Sequence, residues 1–269
     1  MAMLRDITLG QYYPVDSPIH RLDPRTKIVL TIVYIVAVFF GKGLLGYLPT
    51  LLFLLLIIKL SGVPFTMMLK SLRPLRILLI FTFVLNLFFI SSGEVLFRWR
   101  FIQITKDGLS HALRFSLRLI FLVLGTSLMT LTTPPVALTD GLESLCSPLK
   151  KIGFPAHEMA MMMTIALRFI PTLIEEADKI MKAQSARGAD FSSGSVTSRA
   201  RAMIPLLVPL FISAFRRAGD LAFAMEARCY RGGEGRTRLH ILKFRKGDAV
   251  AFVITGLLIP VTIFAGRLL

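Results

Sequence analysis

Two arginines, Arg187 and Arg228, stand 41 residues apart in near-identical settings, Ala186-Arg187-Gly188 and Ala227-Arg228-Cys229. The same shift of 41 aligns Ala177 with Ala218 and Ala183 with Ala224. A guanidinium is a planar fork of donors that holds carboxylates or backbone carbonyls through paired hydrogen bonds. Small alanines beside it let another surface come close. The chemistry this supports is recognition. Taken singly, an arginine in the last turn of a helix is an ordinary cap that complements the helix dipole. The recurrence favours one solution used twice, a helix end shaped for a groove on another protein.

Motifs for bond-breaking chemistry are absent. No G-x-x-x-x-G-K-[ST] phosphate loop occurs; the glycine cluster Gly232-Gly233-Glu234-Gly235 has the wrong spacing and follows a helical stretch. Neither H-E-x-x-H nor G-x-S-x-G is present, so no catalytic residues are expected. His157-Glu158 reads as a solvated helix start. Two cysteines, Cys146 and Cys229, and four scattered histidines supply no metal-ligand spacing and no disulfide framework. Neither a metal nor a cofactor is expected.

The elements that position the arginines follow from composition. Hydrophobic residues make up 54% of the 269 residues, yet the formal net charge is +16; mean hydropathy is +0.68. Apolar residues are bunched into runs with cations between them, the pattern of membrane spans joined by basic loops. The runs are Ile28–Phe40, Leu44–Ile58, Ile77–Ile90, Phe115–Leu131 and Ala249–Gly266. Several need flanking residues to reach the ~20 that cross a bilayer. Arg114 and Arg118, at the start of the fourth, are expected to snorkel to the interface. A sixth run, Ala202–Phe215, contains Pro205 and Pro209 between arginines and reads as a surface-lying or partner-covered helix. Asp6, Asp16 and Asp23 precede the first run without an early apolar core, so that run reads as a retained span.

Loop charge sets the expected orientation. Residues 149–246 hold 17 Lys and Arg against 8 Asp and Glu, and Lys59, Lys70, Arg73 and Arg76 lie between the second and third runs. Both stretches belong on the cytoplasmic side by the positive-inside rule, with the N-terminus inside. Within the basic block, Met159, Met163, Ala166, Ile170, Leu173, Ala177 and Ile180 recur at helical steps. The pattern predicts one helix from Pro155 to Arg187, stopped by Gly188, and a second from about Val196 to Arg231, stopped by the Gly232 cluster. Met159, Met161, Met162 and Met163 form a flexible face that suits a changing partner, or fills core or faces lipid. The expected fold is all-α: about five transmembrane helices and a cytoplasmic pair of long amphipathic ones. The expected division is a membrane domain at 1–133, a coupling domain at 134–246 and a closing span at 247–269.

Three stretches carry a resemblance to a known family. Gly10-Gln11-Tyr12 followed by Ser17-Pro18-Ile19-His20-Arg21-Leu22-Asp23-Pro24-Arg25-Thr26-Lys27 resembles the opening signature of the T component of energy-coupling-factor (ECF) transporters, the EcfT/CbiQ family. Gln184-Ser185-Ala186-Arg187-Gly188 and Ala224–Gly233 look like its paired Ala-Arg-Gly motifs, and Cys229 departs from the glycine common there. The resemblance implies a noncatalytic coupling subunit in a prokaryotic cell membrane. It would join two cytoplasmic ABC-type ATPases to a membrane S component that captures a vitamin or other micronutrient. Ala186, Arg187, Gly188, Ala227, Arg228 and Cys229 would dock the ATPases, which hydrolyse the ATP. Met159, Met161, Met162 and Met163 are the matching candidates for S-component contact. A self-contained secondary transporter is the alternative; the near absence of acids within the spans speaks against it. The cations also suit membrane lipid, whereas the basic block lacks the interleaved aromatics of a nucleic-acid surface.

Overall fold

Asp23 caps the first helix, α1 (Pro24–Phe40), by accepting from the amide of Arg25, and Pro24 occupies the first turn, where a missing N–H costs nothing. The computed structural model describes residues 12–90, 92, 94–99, 102–189, 191, 195–232 and 242–267. Gly10 and Gln11 of the opening signature, and Gly233, Glu234 and Gly235, lie outside them.

Each of the five apolar runs lies inside helix, except for one residue at the start of the second, Leu44, and one at the end of the third, Ile90. After α1 come α2 (Leu48–Ser61), α3 (Phe65–Ser71), α4 (Arg76–Phe89), α5 (Lys106–Thr132), α6 (Pro135–Cys146), α7 (Ala156–Ala186), α8 (Val196–Ala227) and α9 (Lys246–Arg267). Three stretches are long and apolar enough to cross a membrane: Phe65–Phe89, which joins α3 to α4 through a short 3-10 turn, together with α5 and α9. Leu45–Ser61 is a shorter apolar helix, and α1 has 17 residues.

Between α4 and α5 the chain forms an antiparallel ribbon of β1 (Val95–Trp99) and β2 (Ile102–Thr105), with Trp99 opposite Ile102. The helical architecture is as expected, and this ribbon is an addition to it. Thr105 then caps α5: its hydroxyl accepts from the Gly108 amide and donates to the Ile90 carbonyl, tying the start of α5 to the end of α4.

The helices form two units. One comprises α1–α6 and α9, the other α7 and α8. The core of the first is Tyr34, Ala37, Val38, Leu54, Ile58, Met68, Phe121, Leu124, Leu128 and Leu258. Outside that core the usual arrangement is reversed. No residue of α4 is buried, and Ile77, Phe81 and Phe89 are exposed although the helix is almost wholly apolar. Such a surface is stable against hydrocarbon and unstable against water. Arg118 lies on α5 with Nε donating to the Tyr47 hydroxyl at 3.0 Å and its guanidinium near the Phe39 and Phe115 rings. The expected snorkelling cation is thus held by aromatic faces and a phenol.

α6 packs on the start of α1: a Cβ at Gly141 would lie 3.0 Å from the Pro24 Cβ. In the second unit, α7 and α8 contain 31 and 32 residues. The run 202–215 is the middle of α8, and Ile204, Val208, Phe211 and Phe215 are exposed along it.

Candidate functional site

Both arginines occupy the same place in the same local structure. Arg187 is the C-cap of α7, and the next residue, Gly188, takes a left-handed backbone with φ 90°. The amide of Gly188 donates to Ser185 O and that of Ala189 to Gln184 O, both at 3.0 Å. This crossed pair of bonds is a Schellman motif, which satisfies helix-end carbonyls that would otherwise lack partners. After α8 the pattern repeats 41 residues on. Cys229 donates to Glu226 O at 2.8 Å and Tyr230 to Met225 O at 3.0 Å. Cys229 has φ 57°, the one positive φ at a non-glycine among the described residues. The second helix therefore ends at Ala227, four residues before the expected Arg231. The left-handed residue stops it before the glycine cluster is reached. Ala186, Arg187, Gly188, Ala227, Arg228 and Cys229 are all exposed.

The two helices also meet at equivalent positions. Arg217 Nη2 donates to Glu176 Oε2 at 2.6 Å, and the pair is separated by 41 residues. Hydrogen bonds from Ser213 and Arg217 hold the Glu176 carboxyl below the usual carboxylate range. Beside this pair a cavity of about 250 Å³ is lined by Ile165, Phe169 and Leu173 of α7 and by Ala218, Leu221 and Met225 of α8. The cavity lies N-terminal of Glu176 on one helix and C-terminal of Arg217 on the other, so the chains run in opposed directions across the contact. When the members of a repeat touch at matching residues, a local two-fold axis passes between them. Arg187 and Arg228 each lie 11 residues beyond the crossing pair, roughly 16 Å along their own helices. The two ends therefore point away from the axis on opposite sides, at equal reach.

The methionines stand at the other end of α7. Met159, Met162 and Met163 are exposed and Met161 is half-buried. Of the expected apolar stripe, Leu173 faces the cavity, whereas Met159, Met163 and Ala166 are exposed. The packed line is Ile165, Phe169 and Leu173. No group of three or more His, Cys, Asp or Glu is placed to hold a metal among the described residues.

In the first unit, the opening signature forms a clasp. Tyr13 donates its amide to Leu131 O, and the His20 ring engages Tyr13 O and the Ser17 hydroxyl. Lys27 donates its ammonium to His20 O at 3.2 Å and Thr132 O at 2.8 Å, the second at the C-terminal end of α5, where a cation complements the helix dipole. Arg25 pairs with Asp23 at 3.0 Å, donates to Ser144 and lies 4.1 Å above the Phe244 ring. Asp248 completes the clasp. Its carboxylate accepts from the Asp23 amide at 2.9 Å and from the Arg245 amide at 2.7 Å, the second bond capping α9. Sequence reasoning missed Asp248, since nothing local marks an acid near a span as the partner of a residue 225 positions away.

A bundle of apolar helices, together with a pair of long amphipathic helices whose ends match, defines a polytopic helical membrane protein. Residues 16–239 match the family model described as cobalt transport protein, CbiQ. The chain is 58% identical over 255 residues to the energy-coupling factor transporter transmembrane protein EcfT of Thermosediminibacter oceani, covering 95% of this chain and 96% of that protein. It is 57% identical over 255 residues to the EcfT of Acidaminococcus fermentans (95% and 93% covered) and 47% over 251 residues to that of Bacillus subtilis (93% and 95% covered). The chain belongs to this EcfT/CbiQ family and is a noncatalytic transmembrane component of an energy-coupling factor transporter.

Proposed function

We propose that the α7–α8 pair couples this subunit to two ABC-type ATPases, one docking at Ala186-Arg187-Gly188 and the other at Ala227-Arg228-Cys229. The observation that carries this reading is the two-fold relation of the helix ends about the Glu176–Arg217 contact. Two like surfaces on opposite sides of an axis suit two like partners. Each arginine fork reaches acidic side chains or backbone carbonyls in a groove on its ATPase. Closure of the ATPases on ATP then moves both helix ends, provided that docking differs between open and closed forms. Met159, Met161, Met162 and Met163, about 36–42 Å along α7 from Arg187 at 1.5 Å per residue, contact the S component that captures the vitamin or other micronutrient. The α7–α8 pair and the N-terminus lie on the cytoplasmic side of a prokaryotic cell membrane, in accord with their excess of cations. Functionally, 1–133 and 247–269 are the membrane parts, and 134–246 is the coupling region, with α6 as its joint.

The test is the double variant Arg187→Glu/Arg228→Glu in membranes that hold the complete transporter. It should insert normally but lose co-purification with the ATPases and ATP-dependent uptake. Uptake at the unaltered rate would overturn the docking assignment.

A further inference from the structure

Between α1, α2, α5 and α9 lies a slot of about 350 Å³. Its walls are apolar, and most of the polar groups that reach it are engaged elsewhere. Tyr34 donates to Phe121 O, Thr31 to Lys27 O, and the Lys27 ammonium to His20 O and Thr132 O. A water there would find few of the partners it needs. The rim is formed by Leu56 and Leu60 of α2 and Val250 and Ile254 of α9, all exposed, so the slot opens sideways onto the surface that faces the bilayer. Along α9 the lining runs from Gly247 to Thr255, roughly 12 Å at 1.5 Å per residue. A single alkyl chain is slender enough to enter the slot.

Charge decides which alkyl-bearing molecule. At the Gly247 end, Lys243, Arg245 and Lys246 are exposed together. The nearest acid, Asp248, is buried with both carboxylate oxygens already accepting from the Asp23 and Arg245 amides. Clusters of cations beside a membrane-facing surface attract anionic headgroups.

We propose that this slot is a specific site for one anionic glycerophospholipid, with an acyl chain between α2 and α9 and its phosphate against Lys243, Arg245 and Lys246. In the orientation proposed above, the lipid belongs to the inner leaflet. The site is independent of the arginine ends and would stand if the ATPase assignment fell.

The experiment uses the full chain, delipidated in mild detergent and titrated with phosphatidylglycerol or phosphatidylethanolamine. Native mass spectrometry reads the adducts, and thermal unfolding reads the stabilisation that binding to the folded state confers. Wild type should carry one tight phosphatidylglycerol and bind phosphatidylethanolamine at least tenfold more weakly. Ala251→Trp, which fills the slot, should lose the tight adduct and the lipid-dependent rise in melting temperature. The triple variant Lys243→Glu/Arg245→Glu/Lys246→Glu should lose the preference between the two lipids. Its three positions are exposed, so it decides the matter alone if Ala251→Trp fails to fold. Equal affinity of wild type for both lipids, or an unaltered preference in the triple variant, would overturn the proposal.

Discussion

Replacing Cys229 by glycine should tighten the end of α8. At φ 57° the cysteine Cβ crowds the backbone, which costs about 1–2 kcal/mol relative to glycine. Glycine gives back about 0.4–1 kcal/mol through the greater freedom of the unfolded chain. The balance is a gain of about 0.5–1 kcal/mol, confined to the last turn. The reciprocal change, Gly188→Ala, introduces the strain at φ 90° in α7 with no steric complication, since nothing lies within 4 Å of the added Cβ. It should cost about 1 kcal/mol. One kilocalorie is a factor of about five in an opening equilibrium. Amide hydrogen exchange at Tyr230 and Ala189, the two residues that close the Schellman motifs, reads that factor directly. Protection at Tyr230 should rise several-fold in Cys229→Gly, and protection at Ala189 should fall about fivefold in Gly188→Ala. If Cys229→Gly instead lowers protection at Tyr230, the left-handed backbone is not what strains this end, and the reasoning fails.

Gly125→Ala drives a Cβ into the Tyr34 ring and forces that ring off its hydrogen bond to Phe121, so a loss of about 1–3 kcal/mol is expected in detergent unfolding. Asp248→Ala leaves the buried Asp23 amide without an acceptor and uncaps α9; together these should cost about 2–4 kcal/mol, with Asp248→Asn intermediate in the same assay. The Glu176 carboxyl is held below its ordinary value by Ser213 and Arg217, so its contribution is fully present above pH ~4.5 and is lost as pH falls through the lowered value. Spin-label distances across the α7–α8 crossing should therefore broaden in acid in wild type, and Glu176→Gln should abolish that pH dependence.

Much of this architecture is legible in the residues because the membrane imposes it. A span must be continuously apolar, so the five runs mark helices without knowledge of their neighbours. Arg187 and Arg228 are legible as a pair through the repeated alanines. The same shift of 41 superposes Glu176 on Arg217, yet that pair escapes notice because the members differ in type; it is their complementarity that pairs them across the helix crossing. The end of α8 is misread at Gly232 because cysteine disfavours the left-handed backbone it adopts at position 229. The β1–β2 ribbon is hidden by the shortness of its strands, five and four residues. Asp248 is invisible for another reason, since its role depends on a contact that exists only after folding.

That contact has a consequence for how the protein is made. Asp23 emerges from the ribosome 225 residues ahead of the acid that accepts its amide. At 5–20 residues per second the interval is roughly 10–45 s. During it α1 has its own side-chain cap but no closing partner, and α7 and α8 are synthesised before the membrane bundle is complete. Nascent chains halted short of α9 should consequently be held open and be recognisable to quality-control proteases, whereas release of the last span locks the bundle in a single late step.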